Sequence, residues 1–261
     1  VAEIKPEWNV SQYGMVAAIY DALMANVPHS TWLSRMERGV RERGKSPQSV
    51  LDCACGTGIV TELLWKRGYR PVCGFDISPA MVTIARAKAE RFKPEETPDY
   101  FVQNASTLDL DGRTFDWIVS LFDSLNYILE PTELQKAFER LYLHTNPGGV
   151  LSFDMNSIYA LSSDLFSQSQ RFGPVQHHWI AHWDAETRIC RVEMDFWIDE
   201  LDSPKQRHFH ETHIQRAYSV PEIRKMLVRA GYINIAVFGN YGERAPSSRS
   251  DRLLFFAEKQ V

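Results

Sequence analysis

Apolar positions along this chain recur in two periods, and the change from one to the other divides it into parts. Between residues 49 and 154, short apolar runs alternate with stretches of helical spacing, which predicts strands over residues 49–53, 72–76, 100–103, 115–121 and 150–154. The periodic stretches predict helices over residues 57–67, 79–91 and 133–144, Gly68 stopping the first and the turn Pro147-Gly148-Gly149 preceding the fifth strand. Strand, turn, helix and strand in repetition make the βαβ unit, so the sheet is expected to be mostly parallel with right-handed crossovers. Upstream, Val16, Ile19, Tyr20 and Leu23 share one helical face. Residues 31–44 predict a second helix, with Leu33, Met36 and Val40 aligned opposite its charges and Gly44 as its end.

After residue 154 the period becomes two. Residues 177–184, 189–199 and 206–218 alternate apolar and polar positions between the turn signals Asp184-Ala185-Glu186-Thr187 and Asp202-Ser203-Pro204, predicting about three antiparallel strands. Ser219-Val220-Pro221-Glu222 then reads as a capping box opening a helix to Ala230, closed by Gly231, with final strands near residues 233–239 and 253–258. The expected architecture is a single α/β domain with a seven-stranded, mostly parallel sheet, an N-terminal helical lid and an inserted antiparallel meander. Residues 1–155 and 219–261 form its core, and 156–218 the insertion over the carboxyl edge of the sheet.

Chemistry concentrates at the first two strands. The run Val50-Leu51-Asp52-Cys53-Ala54-Cys55-Gly56-Thr57-Gly58 leads from an apolar strand into a turn of small residues, where backbone can pass close to a ligand. Asp76 in Gly74-Phe75-Asp76-Ile77-Ser78 ends the next strand, placed to accept hydrogen bonds from ribose hydroxyls. Two classes of nucleoside cofactor use this device. A dinucleotide site would want Gly-x-Gly-x-x-Gly, but here the series is Ala54-x-Gly56-x-Gly58 and Thr61 takes the place of the third glycine, so a ligand without phosphates fits better.

This set of residues resembles the motifs of class I S-adenosylmethionine-dependent methyltransferases. The resemblance implies a Rossmann-like fold and a cofactor site built from Asp52, Ala54, Gly56 and Gly58 around the loop, Asp76 as ribose ligand, and Ile77 and Met81 toward adenine. Asn104-Ala105 stands where the family usually has an Asp-Ala pair reading the adenine edge, and Leu121-Phe122 falls at the floor under the methionine part. Asp123-Ser124-Leu125-Asn126-Tyr127 and Phe153-Asp154-Met155-Asn156 look like segments of small bacterial methyltransferases. The meander with Arg207-His208-Phe209 and His213 is similar to sugar-amine N-methyltransferases, in which the residue matching Tyr127 is an aromatic or histidine beside the substrate amine.

Tyr127 is accordingly the candidate catalytic residue, and Phe122, Asn126 and His208 are the candidate substrate contacts. Asn126 and Tyr127 would face the site or cap the following turn. Tyr13 and Tyr20 on the lid would pack in the core or touch the cofactor, and Asp123 is a helix cap or an acid. His208 and His210 share one strand face while His213 lies on the other, so no metal site is expected. Trp179, Trp183, Phe196 and Trp197 read as the packing face of the meander, and Arg216 as an ion-pair partner or an anion contact.

Composition narrows the partners. Net charge is −4 with Lys and Arg scattered, which disfavours nucleic acid. No apolar run approaches the ~20 residues that span a bilayer, and residues 1–10 hold no apolar targeting core. Cys53, Cys55, Cys73 and Cys190 lack metal or disulfide spacing and read as reduced and buried. A cytoplasmic monomer or homodimer is expected, methylating a small-molecule acceptor, an amine among the candidates, and yielding S-adenosylhomocysteine. The alternatives are a tRNA or protein methyltransferase and a non-catalytic S-adenosylmethionine-binding protein.

Overall fold

The computed structural model describes residues 13–91, 97–199 and 206–261. The turn Asp202-Ser203-Pro204 and residues 1–10 lie outside them. A 3₁₀ turn at Val16–Ile19 leads into helix α1 (Tyr20–Leu23), followed by α2 (His29–Glu42). Then come β1 (Val50–Cys53), α3 (Ile59–Lys66), β2 (Val72–Asp76), α4 (Pro79–Ala89), β3 (Asp99–Val102), β4 (Phe115–Ser120), α5 (Pro131–Leu143) and β5 (Thr145–Asn156). A short α6 (Ile158–Ser162) precedes the second sheet, β6 (Gln168–Phe172), β7 (Val175–Asp184), β8 (Ile189–Asp199) and β9 (Gln206–Arg216). Helix α7 (Val220–Ala230), β10 (Ile233–Gly239) and β11 (Arg252–Glu258) complete the chain.

The first sheet has the order β3-β2-β1-β4-β5-β11-β10, with β5-β11 and β11-β10 antiparallel and the other pairs parallel. Chain order reverses between β1 and β4, and the crevice at the carboxyl ends of strands at such a switch point is where open α/β sheets bind ligands. Both faces of the sheet are buried, as parallel strands require. Leu51, Phe75, Ile118, Phe153 and Phe255 pack with Phe138, Leu141, Ile223 and Leu227 of α5 and α7, while Val50, Trp117, Val150 and Phe256 pack with Leu33, Met36 and Leu64 of α2 and α3. Among the described residues no helix is long and apolar enough to cross a membrane, and all four cysteines are free and buried.

Three features depart from the sequence pattern. The meander has four strands in the order β6-β7-β8-β9, since Gln168-Ser169-Gln170-Arg171-Phe172 pairs with β7 despite lacking apolar alternation. It is an edge strand, where polar composition is expected. Pro147-Gly148-Gly149 lies within β5, where the pairing jumps from Phe115↔Thr145 to Trp117↔Val150; the extra residues are looped out as a bulge. Helix α6 is too short to show a helical period, and Ser157 caps it by accepting from the Ala160 N–H.

The second sheet meets the first through polar contacts and the lid. Its inner face carries Val175, Val192, Met194 and Phe196, against which Val16 and, less deeply, Tyr13, Tyr20 and Leu23 pack. Arg188 in the β7–β8 turn forms a two-point ion pair with Glu222 at the start of α7, at 2.9 and 2.6 Å. Glu222 thereby titrates far below the usual carboxylate range, at about 2, chiefly through that pair.

Candidate active site

The loop after β1 turns sharply, with Ala54, Gly56 and Gly58 all in the left-handed region at φ +59°, +53° and +82°. A Cβ on Gly56 would project into open space with only the Tyr20 ring near it, at 3.9 Å, so the loop presents bare backbone to a cavity. Gly58 serves differently from its expected role. It does not line the cavity, and a Cβ there would stand 2.6 Å from the Tyr100 hydroxyl, so it lets the loop enter α3 under that ring.

Two acids hold the loop. Asp76 accepts from the Gly56 N–H at 2.9 Å and the Ser78 N–H at 2.8 Å. Burial raises its pKa, and these N–H groups pull it part of the way back. Asp52, buried at 2% exposure, accepts from the Thr61 hydroxyl at 2.6 Å, which explains the threonine where a dinucleotide turn would have glycine. Burial pushes Asp52 up to about 7, opposed by Thr61 and reinforced by the charge of Asp76. A carboxyl whose folded pKa is raised favours the folded state below its unfolded value and loses that contribution as pH rises through the folded value. Asp52→Asn is therefore expected to melt several degrees above the wild type at pH 8, the gap closing between about pH 7 and pH 4; thermal melts across that range check it.

The lid closes over this loop. Asp21 on α1 accepts from the Thr57 hydroxyl at 2.5 Å and from Lys88 of α4 at 2.6 Å. Tyr13 and Tyr20 both line the cavity, their rings 5.9 Å apart and edge-on. On the β4 side, Phe122 and Asp123 are consecutive left-handed residues at φ +66° and +49°, a strained pair of the kind that surrounding structure must hold in place. Arg252 supplies that hold, pairing with both Asp123 and Asp154, while Gln215 donates to Asp123 at 2.5 Å. Burial works against the charge of Arg252, but the two carboxylates more than offset it and keep the guanidinium ionised. Asp123 makes no side-chain cap hydrogen bond, so its role is this network.

Tyr127 begins a chain of polar groups. The Tyr13 hydroxyl donates to the Tyr127 oxygen at 2.7 Å, Tyr127 lies 3.0 Å from His213 Nδ1, and His213 Nε2 lies 3.1 Å from Glu211 Oε2. Glu211 also accepts from the backbone N–H groups of Tyr13, Met15 and Val16 at 3.1, 2.7 and 2.8 Å. Burial opposes its charge, but His213 and the backbone donors outweigh this and depress its pKa. Burial raises the pKa of both Tyr127 and Tyr13, so both phenols are protonated at neutral pH.

Two expected substrate contacts fall elsewhere. Asn126 is fully buried; it donates to the carbonyls of Asn156 and Arg216 and accepts from the Asn156 N–H, joining the two sheets. His208 is on the outer face of β9, half exposed, bonded to Asp195 and stacked on Trp197. The four meander aromatics divide as well, with Trp179, Trp183 and Phe196 on the inner face and Trp197 on the outer. Arg216 donates to the Leu129 carbonyl and lies over the Tyr218 ring.

One cavity of about 880 Å³ joins these parts. Asp52, Ala54, Gly56, Asp76, Ile77, Met81, Asn104, Ala105, Leu121, Phe122, Tyr13, Tyr20 and Tyr127 line it. The amide oxygen of Asn104 is engaged within the chain, accepting from the Ser106 N–H and hydroxyl. His213, Gln215, His177, Trp179 and Arg252 line it too. The charged lining is mostly acidic, with Asp52, Asp76, Asp123, Glu130 and Glu133 against Arg252. Among the described residues no group of three or more His, Cys, Asp or Glu is arranged to hold a metal ion.

A family model described as a methyltransferase domain matches residues 50–149. A chain from Geobacillus sp. (strain WCH70), named as a methyltransferase, is 30% identical over 253 residues, spanning 95% of this chain and 99% of that relative. A Streptomyces venezuelae protein named as dTDP-3-amino-3,4,6-trideoxy-alpha-D-glucopyranose N,N-dimethyltransferase is 28% identical over 217 residues, 80% of this chain and 84% of its own. Among solved structures, an S-adenosylmethionine-dependent methyltransferase from Clostridium acetobutylicum has a TM-score of 0.82 at 28% identity, covering 95% of this chain and 99% of its own.

Proposed function

Because this chain belongs to the class I S-adenosylmethionine-dependent methyltransferases, we propose that it methylates a nitrogen of a small amine enclosed between the two sheets. In this reading residues 1–155 and 219–261 hold the cofactor, and residues 156–218 with the lid cover the acceptor. The residues present suit that cofactor: the bare loop at Gly56 would be filled by a single side chain, and Asp76 stands beside it with a partly buried carboxylate. When bound, the cofactor supplies a methyl group on a sulfonium, so an aligned nucleophile needs little further activation.

The observation that carries the proposal is the chain Tyr13, Tyr127, His213, Glu211. An amine attacks only as the free base, so a site that binds it as ammonium must remove a proton. Tyr127 accepts that proton while passing its own to His213 Nδ1, and Glu211 stabilises the imidazolium through Nε2. The acidic lining draws in a cation. That lining and the enclosure by the lid also support a small acceptor over a tRNA or protein, as does the charge of −4. The lid and inner face exclude water, which keeps the electrostatic interactions of the site strong.

The test is incubation with S-adenosylmethionine and a panel of small primary and secondary amines, read as methyl mass gain alongside S-adenosylhomocysteine release. Tyr127→Phe is expected to lower turnover on the order of 100-fold with S-adenosylhomocysteine affinity nearly intact by calorimetry. A fall in affinity instead would assign Tyr127 to the cofactor side of the cavity.

A further inference from the structure

We propose that His177 and Trp179 form a second recognition subsite, taking an uncharged hydroxyl-bearing ring of the acceptor remote from the methylated nitrogen. The orientation of the acceptor rests on the amine reading above. The His177 side chain is 2% exposed on the inner face of β7 and lines the cavity, yet neither ring nitrogen has a hydrogen-bond partner among the described residues. The indole N–H of Trp179, two residues along the same face, is likewise buried without a partner. A buried polar atom left unpaired bears the full cost of its desolvation, which is why such atoms are scarce in native proteins. Three of them in two adjacent side chains at one cavity point to a ligand that completes them.

The chemistry of the three atoms selects the ligand. Burial disfavours the imidazolium of His177, so the ring presents one N–H and one lone pair. A carboxylate or phosphate would satisfy donors alone, and an ammonium only the lone pair. A hydroxyl does both. Phe172, His177 and Trp179 form a continuous stack, with ring centroids 5.7 and 4.5 Å apart and planes within 29° and 28° of parallel, an aromatic wall against which a ring can rest. Gln170 and Gln168 stand directly across the β6–β7 pairing from His177 and Trp179 and line the same cavity, adding carboxamides that can both donate and accept. Across the β7–β8–β9 register Ala181 is the residue opposite His213, so the subsite lies two strands over and two to four residues along, roughly 12 Å away at Trp179 and roughly 16 Å at His177, which places the recognised ring well apart from the reacting nitrogen.

Two probes test this: trans-4-aminocyclohexanol and cyclohexylamine, titrated by ligand-observed NMR into the S-adenosylhomocysteine complex of the full chain. The wild type is expected to bind the hydroxylated amine about tenfold more tightly. His177→Phe, which keeps the stack and removes both nitrogens, should bring the ratio near one, and Trp179→Phe should reduce it in part. Calorimetry with S-adenosylhomocysteine checks that each variant is folded; if His177→Phe is not, Trp179→Phe alone decides. Equal binding of the two probes, binding of neither, or a ratio unchanged in the folded variants overturns the subsite. Methyl transfer is scored separately with the amine panel described above. A hydroxyl preference in binding with no transfer to any amine of that panel removes the amine reading and leaves the subsite standing, and transfer to the panel without a hydroxyl preference does the reverse.

Discussion

Gly56→Val is expected to abolish detectable S-adenosylhomocysteine binding in calorimetry while leaving the protein folded. The position has φ +53°, which costs an L-residue roughly 1–2 kcal/mol and a β-branched one more. That strain alone is survivable, because a Cβ there meets nothing closer than the Tyr20 ring at 3.9 Å. The loss comes from the branched methyls, which would occupy the space between loop and lid that a nucleoside must enter. Gly56→Ala adds only the Cβ and should retain weakened binding, so the pair separates backbone strain from obstruction. Normal affinity in the valine variant would mean that the cofactor lies elsewhere than on this loop.

Glu211→Gln should be the most damaging change on the acceptor side. The carboxylate accepts from three backbone N–H groups of the lid segment and faces His213 Nε2. An amide offers one acceptor oxygen, and its NH₂ must then confront either Met15 and Val16 or Tyr13 and His213. Unpairing buried donors costs about 1–3 kcal/mol each, so a destabilisation of a few kcal/mol is expected, with faster proteolysis at the lid. Turnover should fall by about 100-fold or more, since the imidazolium loses its counter-charge. The pH dependence has a definite sign. The folded pKa of Glu211 is depressed, so its stabilisation is complete above the ordinary value of 4.5 and is lost as pH falls through the folded value. The melting difference between wild type and variant should therefore be widest near neutrality and shrink below pH 4.5.

The shape of the loop after β1 was legible because its signal lies in one short run. The small residues from Asp52 to Gly58 and the acid at Asp76 mark a tight turn facing a strand end, Asp76 accepts from the Gly56 N–H across the two strands, and β2 has the bounds that its apolar run predicts. The acceptor half depends on which face of a sheet turns inward, which no strand reveals alone. Alternation separated His208 and His210 from His213, but the docking of Val16 and the lid made the side of His213 the inner one. Asn126 and Tyr127 are neighbours in the sequence, and its pattern gives both the same place. They lie in a 3₁₀ turn, where consecutive side chains project about 120° apart, so one enters the cavity while the other is sealed between the sheets. The motif position of Gly58 implies a ligand contact and says nothing of Tyr100, which reaches it from β3. Gln215 shows nothing beyond strand parity in the sequence.

The bonds from Asp21 to Thr57 and Lys88 have a kinetic consequence. One short helix covers the loop after β1, and the segment just before it is held by Glu211, so on the proposed placement of cofactor and acceptor both would lie behind a single door. A cofactor seated against the loop would then be held in while an acceptor is bound. A compulsory order is expected, cofactor first to enter and its demethylated product last to leave. Product inhibition by S-adenosylhomocysteine should accordingly be competitive against S-adenosylmethionine and noncompetitive against the acceptor.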